Sequence, residues 1–194
     1  MNPEESFHNW SVVPIRRLEA VPNHDGSFVA LATALFLYER YAKIKLKQRG
    51  IKATDKNIAK QIILDFGVDE QLAEVFGDVM RNGLLHQGMP KQSEQGEKKF
   101  PEWIFHHNEG DKLIELRKFQ DRTLLFVQPW NVVNKIIALW QENSERLSQN
   151  ESFSWAQVFY LEPNAEKTSN KYYLVTGSSS GLGILNTKQV CTQK

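Results

Sequence analysis

The sequence predicts a mainly α protein: an antiparallel helical bundle with a small antiparallel β insertion at about 102–128 and a β-rich C-terminal tail. Three observations carry this expectation. Apolar residues recur at helical spacing through 27–87 and again through 130–148. Thr, Asp and Pro stand where those patterns begin, and Gly where the earlier ones end. Short aromatic and β-branched runs, bounded by turn residues, fill 102–128 and 151–194.

Residues 1–25 contain Pro3, Pro14 and Pro22 without a clean period and read as an irregular arm. The bundle proper is expected over 26–90 and 129–148. Its first helix spans about 27–49, apolar on nearly every side at first (Phe28, Val29, Leu31, Leu35, Phe36) and then rich in Lys and Arg before Gly50. Such a helix belongs at the centre of its bundle, and its basic residues suit a helix C-terminus. Thr54 caps a second helix over 55–66, stopped by Gly67, and Asp69 caps a third over 70–87, stopped by Gly88. The short connector between them implies antiparallel packing. Residues 91–99 are polar and charged. Runs at 102–107, 113–119 and 123–128 then read as strands, with Asn108, Glu109 and Gly110 as a hairpin tip. Pro129 opens the fourth helix, to about 148, and 151–194 returns to strand-like pieces. The whole, 1–194, reads as one domain.

Composition narrows the function. The chain has 194 residues, 41% hydrophobic and 24% charged, enough for a core and a polar surface. Lys plus Arg number 24 and Asp plus Glu 23, a net charge of +1, which argues against a protein that coats nucleic acid and for a confined site. A single cysteine, Cys191, excludes an internal disulfide and multi-cysteine zinc. The acidic start (Glu4, Glu5) carries no export signal, and the apolar run Phe28–Tyr38 is too short to span a bilayer. A reducing, cytoplasmic location with no membrane association is expected.

The chemistry-bearing segment is Arg81-Asn82-Gly83-Leu84-Leu85-His86. On a 3.6-residue period Asn82 and His86 share a face, and the long Arg81 side chain bends toward it. Gly83 leaves room there for the backbone of a ligand to approach. Histidine moves protons near neutral pH, a guanidinium holds a phosphate at two points, and an amide orients either partner. This set suits phosphodiester cleavage and needs neither a metal nor a cofactor.

An Arg, an adjacent polar residue and a His a few positions on, late in a helical bundle, resemble the signature of the HEPN superfamily; Arg81, Asn82 and His86 match it. The resemblance covers about 27–90 and 130–148. It implies a metal-independent endoribonuclease of the toxin–antitoxin or defence kind, dimeric, with two motifs lining one cleft. It also implies an acidic residue on an earlier helix beside the Arg, for which Glu39 in Tyr38-Glu39-Arg40-Tyr41 is the candidate. RNA, a second copy of the chain and a protein partner such as an antitoxin are the partners it implies. The β insertion and the tail depart from a minimal bundle. The rival class is a non-catalytic HEPN-like interaction or scaffolding module, and a nucleotide pocket between bundle and sheet is a third. Arg81 and His86 facing an open groove across a two-fold axis favours the enzyme; burial in ion pairs within one chain disfavours it. The bland alternatives are a solvated Arg81, a helix-capping His86 and a surface Glu39–Lys43 pair.

Other features carry less. Thr176–Gly183 copies a dinucleotide-binding glycine pattern, but no helix and acid-bearing strand follow it. His106 and His107 alternate along a strand-like run and face opposite ways. Trp140 falls on an apolar helical face, and Trp130 at a helix start is the tryptophan best placed to stack on a base.

Overall fold

The computed structural model describes residues 3–91, 101–107, 110, 112–120 and 122–143, all within one contact unit covering 1–150. The strand-like pieces and the glycine pattern expected at 151–194, Trp155 and Cys191 lie outside the described residues. The architecture is mainly α, with a three-stranded sheet.

Helix α3 (Gly26–Gln48) is the axis of the fold. It buries Ala30, Leu31, Ala34, Leu35, Tyr38, Tyr41, Ala42, Ile44 and Leu46. α7 (Pro129–Gln141) packs along it through Val133, Ile136, Ile137 and Trp140. Trp140 is only 2% exposed and still satisfies its indole, which donates to the Leu37 carbonyl at 3.1 Å. Its ring also meets Tyr41 and Phe7 at 6.0 and 5.5 Å. Core packing, not base stacking, is therefore its role. The expected all-round burial of the early part of α3 does not hold, because Val29 and Phe36 are 52% and 55% exposed. No helix among the described residues is long and apolar enough to cross a membrane.

The second helix is as expected. α4 (Asp55–Phe66) begins at Thr54, whose hydroxyl accepts the Asn57 N–H at 3.3 Å, and ends at Gly67 with φ 67. α5 (Glu70–Phe76) starts at Asp69, whose carboxylate accepts the Leu72 N–H at 2.8 Å. The third helix does not run uniformly to 87. A wide turn with π-type hydrogen bonding, Gly77–Asn82, interrupts it before α6 (Gly83–Gln87). The fourth helix ends at Gln141, and 144–148 lie outside the described residues.

The N-terminal segment corrects the reading of 1–25 as irregular. α1 (Pro3–Phe7), a wide turn (His8–Val12) and α2 (Val13–Arg17) form a continuous helical run that buries Phe7, Val12 and Ile15. Proline inside an α-helix lacks an N–H and crowds the preceding turn. Here the turn before Pro14 is widened, with the Val13 N–H reaching back to the His8 carbonyl, and the run continues through it.

The sheet order is β1 (Glu102–Phe105), β3 (Arg122–Val127), β2 (Ile114–Phe119). β2 and β3 pair antiparallel as expected, but β1 joins β3 in parallel, so the insertion is a mixed sheet. β1 and β2 run in opposite directions, so the chain reverses between them, yet β3 lies between the two; Asn108 and Glu109 of the expected hairpin tip lie outside the described residues. β3 is the most buried strand (Leu124, Leu125, Val127), and its central position covers both of its edges. Gln120, at φ 53, stands in the connector between the strands that do form a hairpin.

Candidate active site

The wide turn places the motif. A π-type turn adds a residue to the helical circuit and narrows the angle between successive side chains. Arg81 and Asn82 consequently enter the interior together, 4% and 7% exposed, and touch: Arg81 Nη1 donates to Asn82 Oδ1 at 2.5 Å. The extra residue leaves the Val79 carbonyl to accept the Lys91 N–H at 2.9 Å, which folds residues 89–91 back over the turn. Gly83 is what lets them approach, for a Cβ there would stand 2.5 Å from the Lys91 nitrogen and 2.6 Å from the Met89 oxygen. The expectation that Gly83 keeps space for a ligand is corrected: the chain's own backbone fills it.

Glu39 is where the resemblance implies an acid. Projecting from α3, its carboxylate forms a hydrogen-bonded ion pair with Arg81 Nε, and its other oxygen meets Lys43 Nζ at 2.8 Å. The surface pair with Lys43 and the buried pair with Arg81 coexist. A second acid that the sequence did not single out, Asp55 in the first turn of α4, reaches Arg81 Nη1 at 3.2 Å. A third, Asp78, accepts from Asn82 Nδ2 at 3.2 Å and stands 4.0 Å from Lys91 Nζ. Asp55 carried one legible signal, its place directly after the Thr54 cap; Asp78 carried another, its i,i+4 spacing from Asn82 along a helical pattern.

The electrostatics follow from this crowding. Burial alone would raise the Glu39 pKa, but hydrogen bonds and charge from Arg81 and Lys43 prevail and hold it below the usual carboxylate range. Burial alone would lower that of Arg81, and the carboxylates of Glu39 and Asp55 raise it instead. The guanidinium is permanently charged and fixed in direction.

His86 is separate from this cluster. It lies in α6, exposed, and has no hydrogen-bond or ion-pair partner among the described residues. A cleft of about 330 Å³ between α4 and the wide turn is lined by Asp55, Lys56, Gly77, Asp78, Arg81 and Asn82, and His86 is not among its walls. Asn82 and His86 stand one regular turn of α6 apart, yet burial separates them: Asn82 is packed beside Arg81 on the cleft, whereas His86 is exposed and outside its lining. One chain brings Arg81, Asn82 and Glu39 together and holds His86 apart.

The remaining candidates lie apart from the cleft. His106 and His107 lie just beyond β1, half-buried, and His107 stacks on His24 with ring centroids 4.2 Å apart. Burial lowers the pKa of both. Trp130, in the first turn of α7, is half-buried.

No protein-family model, curated protein or solved structure matches the chain. A functional reading therefore stands on the site's own geometry and on the resemblance of its motif.

Proposed function

We propose that this protein is a HEPN-like RNA-targeting protein of the cytoplasm, a metal-independent endoribonuclease whose cleft is completed by a second copy of the chain. One observation carries the reading: Arg81 is buried, permanently charged and aimed by Glu39 from an earlier helix, with its outer edge on a cleft. A guanidinium fixed in this way is pre-organised to receive a phosphate and to stabilise charge that develops on it. In such a reaction the RNA's own 2′-oxygen bonds to phosphorus, the bond from phosphorus to the 5′-oxygen breaks, and a cyclic phosphate is left. His86 moves the proton, Arg81 holds the phosphate, and Asn82 fixes the guanidinium. An antitoxin-like partner would act by covering the cleft.

A specific observation favours the second reading, a non-catalytic interaction module. Within one chain Arg81 is buried in ion pairs and His86 is exposed outside the cleft lining. The enzyme reading therefore requires His86 of one copy to serve Arg81 of another. Mixing two inactive variants, Arg81→Lys and His86→Ala, tests this. Mixed dimers hold one site with both wild-type groups, so cleavage of an RNA substrate should reappear on mixing. If each variant is inactive and the mixture stays inactive, the composite cleft is wrong. If neither substitution affects the protein's RNA contacts, the interaction module stands.

A further inference from the structure

Arg81 does not spend all of its donors inside the chain. Nε serves Glu39, Nη1 serves Asn82 and Asp55, and nothing among the described residues engages Nη2. Its two anionic partners are unlike. The Glu39 side chain is 15% exposed and is tied to Lys43 as well, whereas that of Asp55 is 76% exposed and meets Arg81 by one contact at 3.2 Å. Lys43, Glu39 and Arg81 together carry one positive charge in excess, and Asp55 cancels it. A carboxylate so exposed is held by a screened attraction and rotates into water without stranding its own charge. A phosphate makes a better partner, because its oxygens engage two guanidinium nitrogens at once. The cleft that Asp55 and Arg81 share has room for such a group at about 330 Å³, with Lys56 on its wall.

We infer that Asp55 is an internal competitor for the phosphate site: its carboxylate occupies the edge of Arg81 that one phosphate of an RNA backbone takes, and it swings into solvent when that phosphate enters. The inference rests on the reading of Arg81 as the phosphate holder. Asp55 then sets a threshold for occupancy. A ligand must repay its displacement, so RNA that makes further contacts is selected over a weakly held anion. Asp55 is a positioning and specificity residue in this scheme; it performs no proton transfer.

The test is the affinity of the full chain for a 2′-O-methyl RNA decamer, which cannot be cleaved through its 2′-oxygen, at fixed low salt. Asp55→Asn should bind about 3- to 10-fold more tightly than wild type. Glu70→Gln removes an equal charge from the same position of α5, outside the cleft, and controls for net charge; it should change affinity by less than about 2-fold. Arg81→Gln, or Arg81→Lys if the first does not fold, should lose the binding that Asp55→Asn strengthens. If Asp55→Asn binds no better than Glu70→Gln while the Arg81 variant still loses binding, the competitor role is overturned and the phosphate site survives. If a folded Arg81 variant binds as wild type does, or wild type and Asp55→Asn both fail to bind, the phosphate site itself is overturned.

Discussion

Two polar networks leave α3 from adjacent residues, Tyr38 and Glu39, and they are built on opposite principles. The Tyr38 hydroxyl donates to Asp65 Oδ2 at 3.0 Å, Gln61 donates to Asp65 Oδ1 at 2.9 Å, and Arg49 donates to Gln61 at 3.2 Å. That network ties the middle and the C-terminal end of α3 to the C-terminal half of α4, with Tyr38 wholly buried among Tyr41 and Phe66. Its acid is pushed upward by burial, against the hydrogen bonds from Gln61 and Tyr38. In the Glu39 network the acid is held down and its partner is a full charge that faces a cleft. The first is a clamp between α3 and α4. The second holds a buried cation beside a cleft, which a clamp does not require.

The largest stability effect should separate them. Arg81→Met leaves Glu39 with Lys43 alone and strands the polar side of Asn82. A loss of about 2–4 kcal/mol is expected, toward the lower end for a broken buried pair because Lys43 remains. Tyr38→Phe removes one hydrogen bond to a carboxylate and should cost about 1.5–3 kcal/mol without changing RNA affinity. Both are read by urea denaturation. A Tyr38→Phe variant that weakens RNA binding as strongly as Arg81→Met would merge the two networks into one site.

Titration gives a smaller effect but one of opposite sign. The Glu39 pKa is lowered in the fold, so its contribution is complete above the unfolded value, about 4, and is lost as pH falls through the folded value. The Asp65 pKa is raised, so folding is penalised above the folded value and relieved as pH falls toward the unfolded one. On acidification from pH 7 toward 3, the stability gap between wild type and Glu39→Gln should narrow. The gap between wild type and Asp65→Asn should instead move in favour of wild type. Melting temperatures for the three proteins across that range check this, and gaps that move in the same direction would contradict the contrast.

Much of the helical frame was legible because caps and stops are local. Thr54, Gly67 and Asp69 each act through neighbours within a few residues, and α4 runs over the span they mark. Glu39 was legible only through the resemblance, since no local pattern links it to Arg81. What misled was the assumption of a constant period. Both wide turns, His8–Val12 and Gly77–Asn82, add a residue to the helical circuit, and a 3.6-residue wheel drawn through the second does not foresee that Arg81 and Asn82 are buried side by side. Gly77 opens the second and Gly83 follows it, yet the closure of 89–91 over Gly83 is a tertiary contact. Asp55 was visible as a first-turn acid and not as an Arg81 partner, because that contact joins two helices. The sheet was found and its order missed for the same kind of reason: turn residues announce a reversal without saying which strand lies between.

The central claim is that Arg81, Asn82 and His86 are the site. It is tested most directly by cleavage of a single-stranded RNA with EDTA present, comparing wild type with His86→Ala at pH 5–9. His86 is exposed and unpartnered among the described residues, so its loss should leave the helical circular dichroism unchanged. The account predicts metal-free cleavage by wild type that ends in a cyclic phosphate, and a fall of about 10²–10⁴-fold in the variant, roughly 3–5 kcal/mol of barrier. Cleavage that survives His86→Ala at the wild-type rate would contradict it.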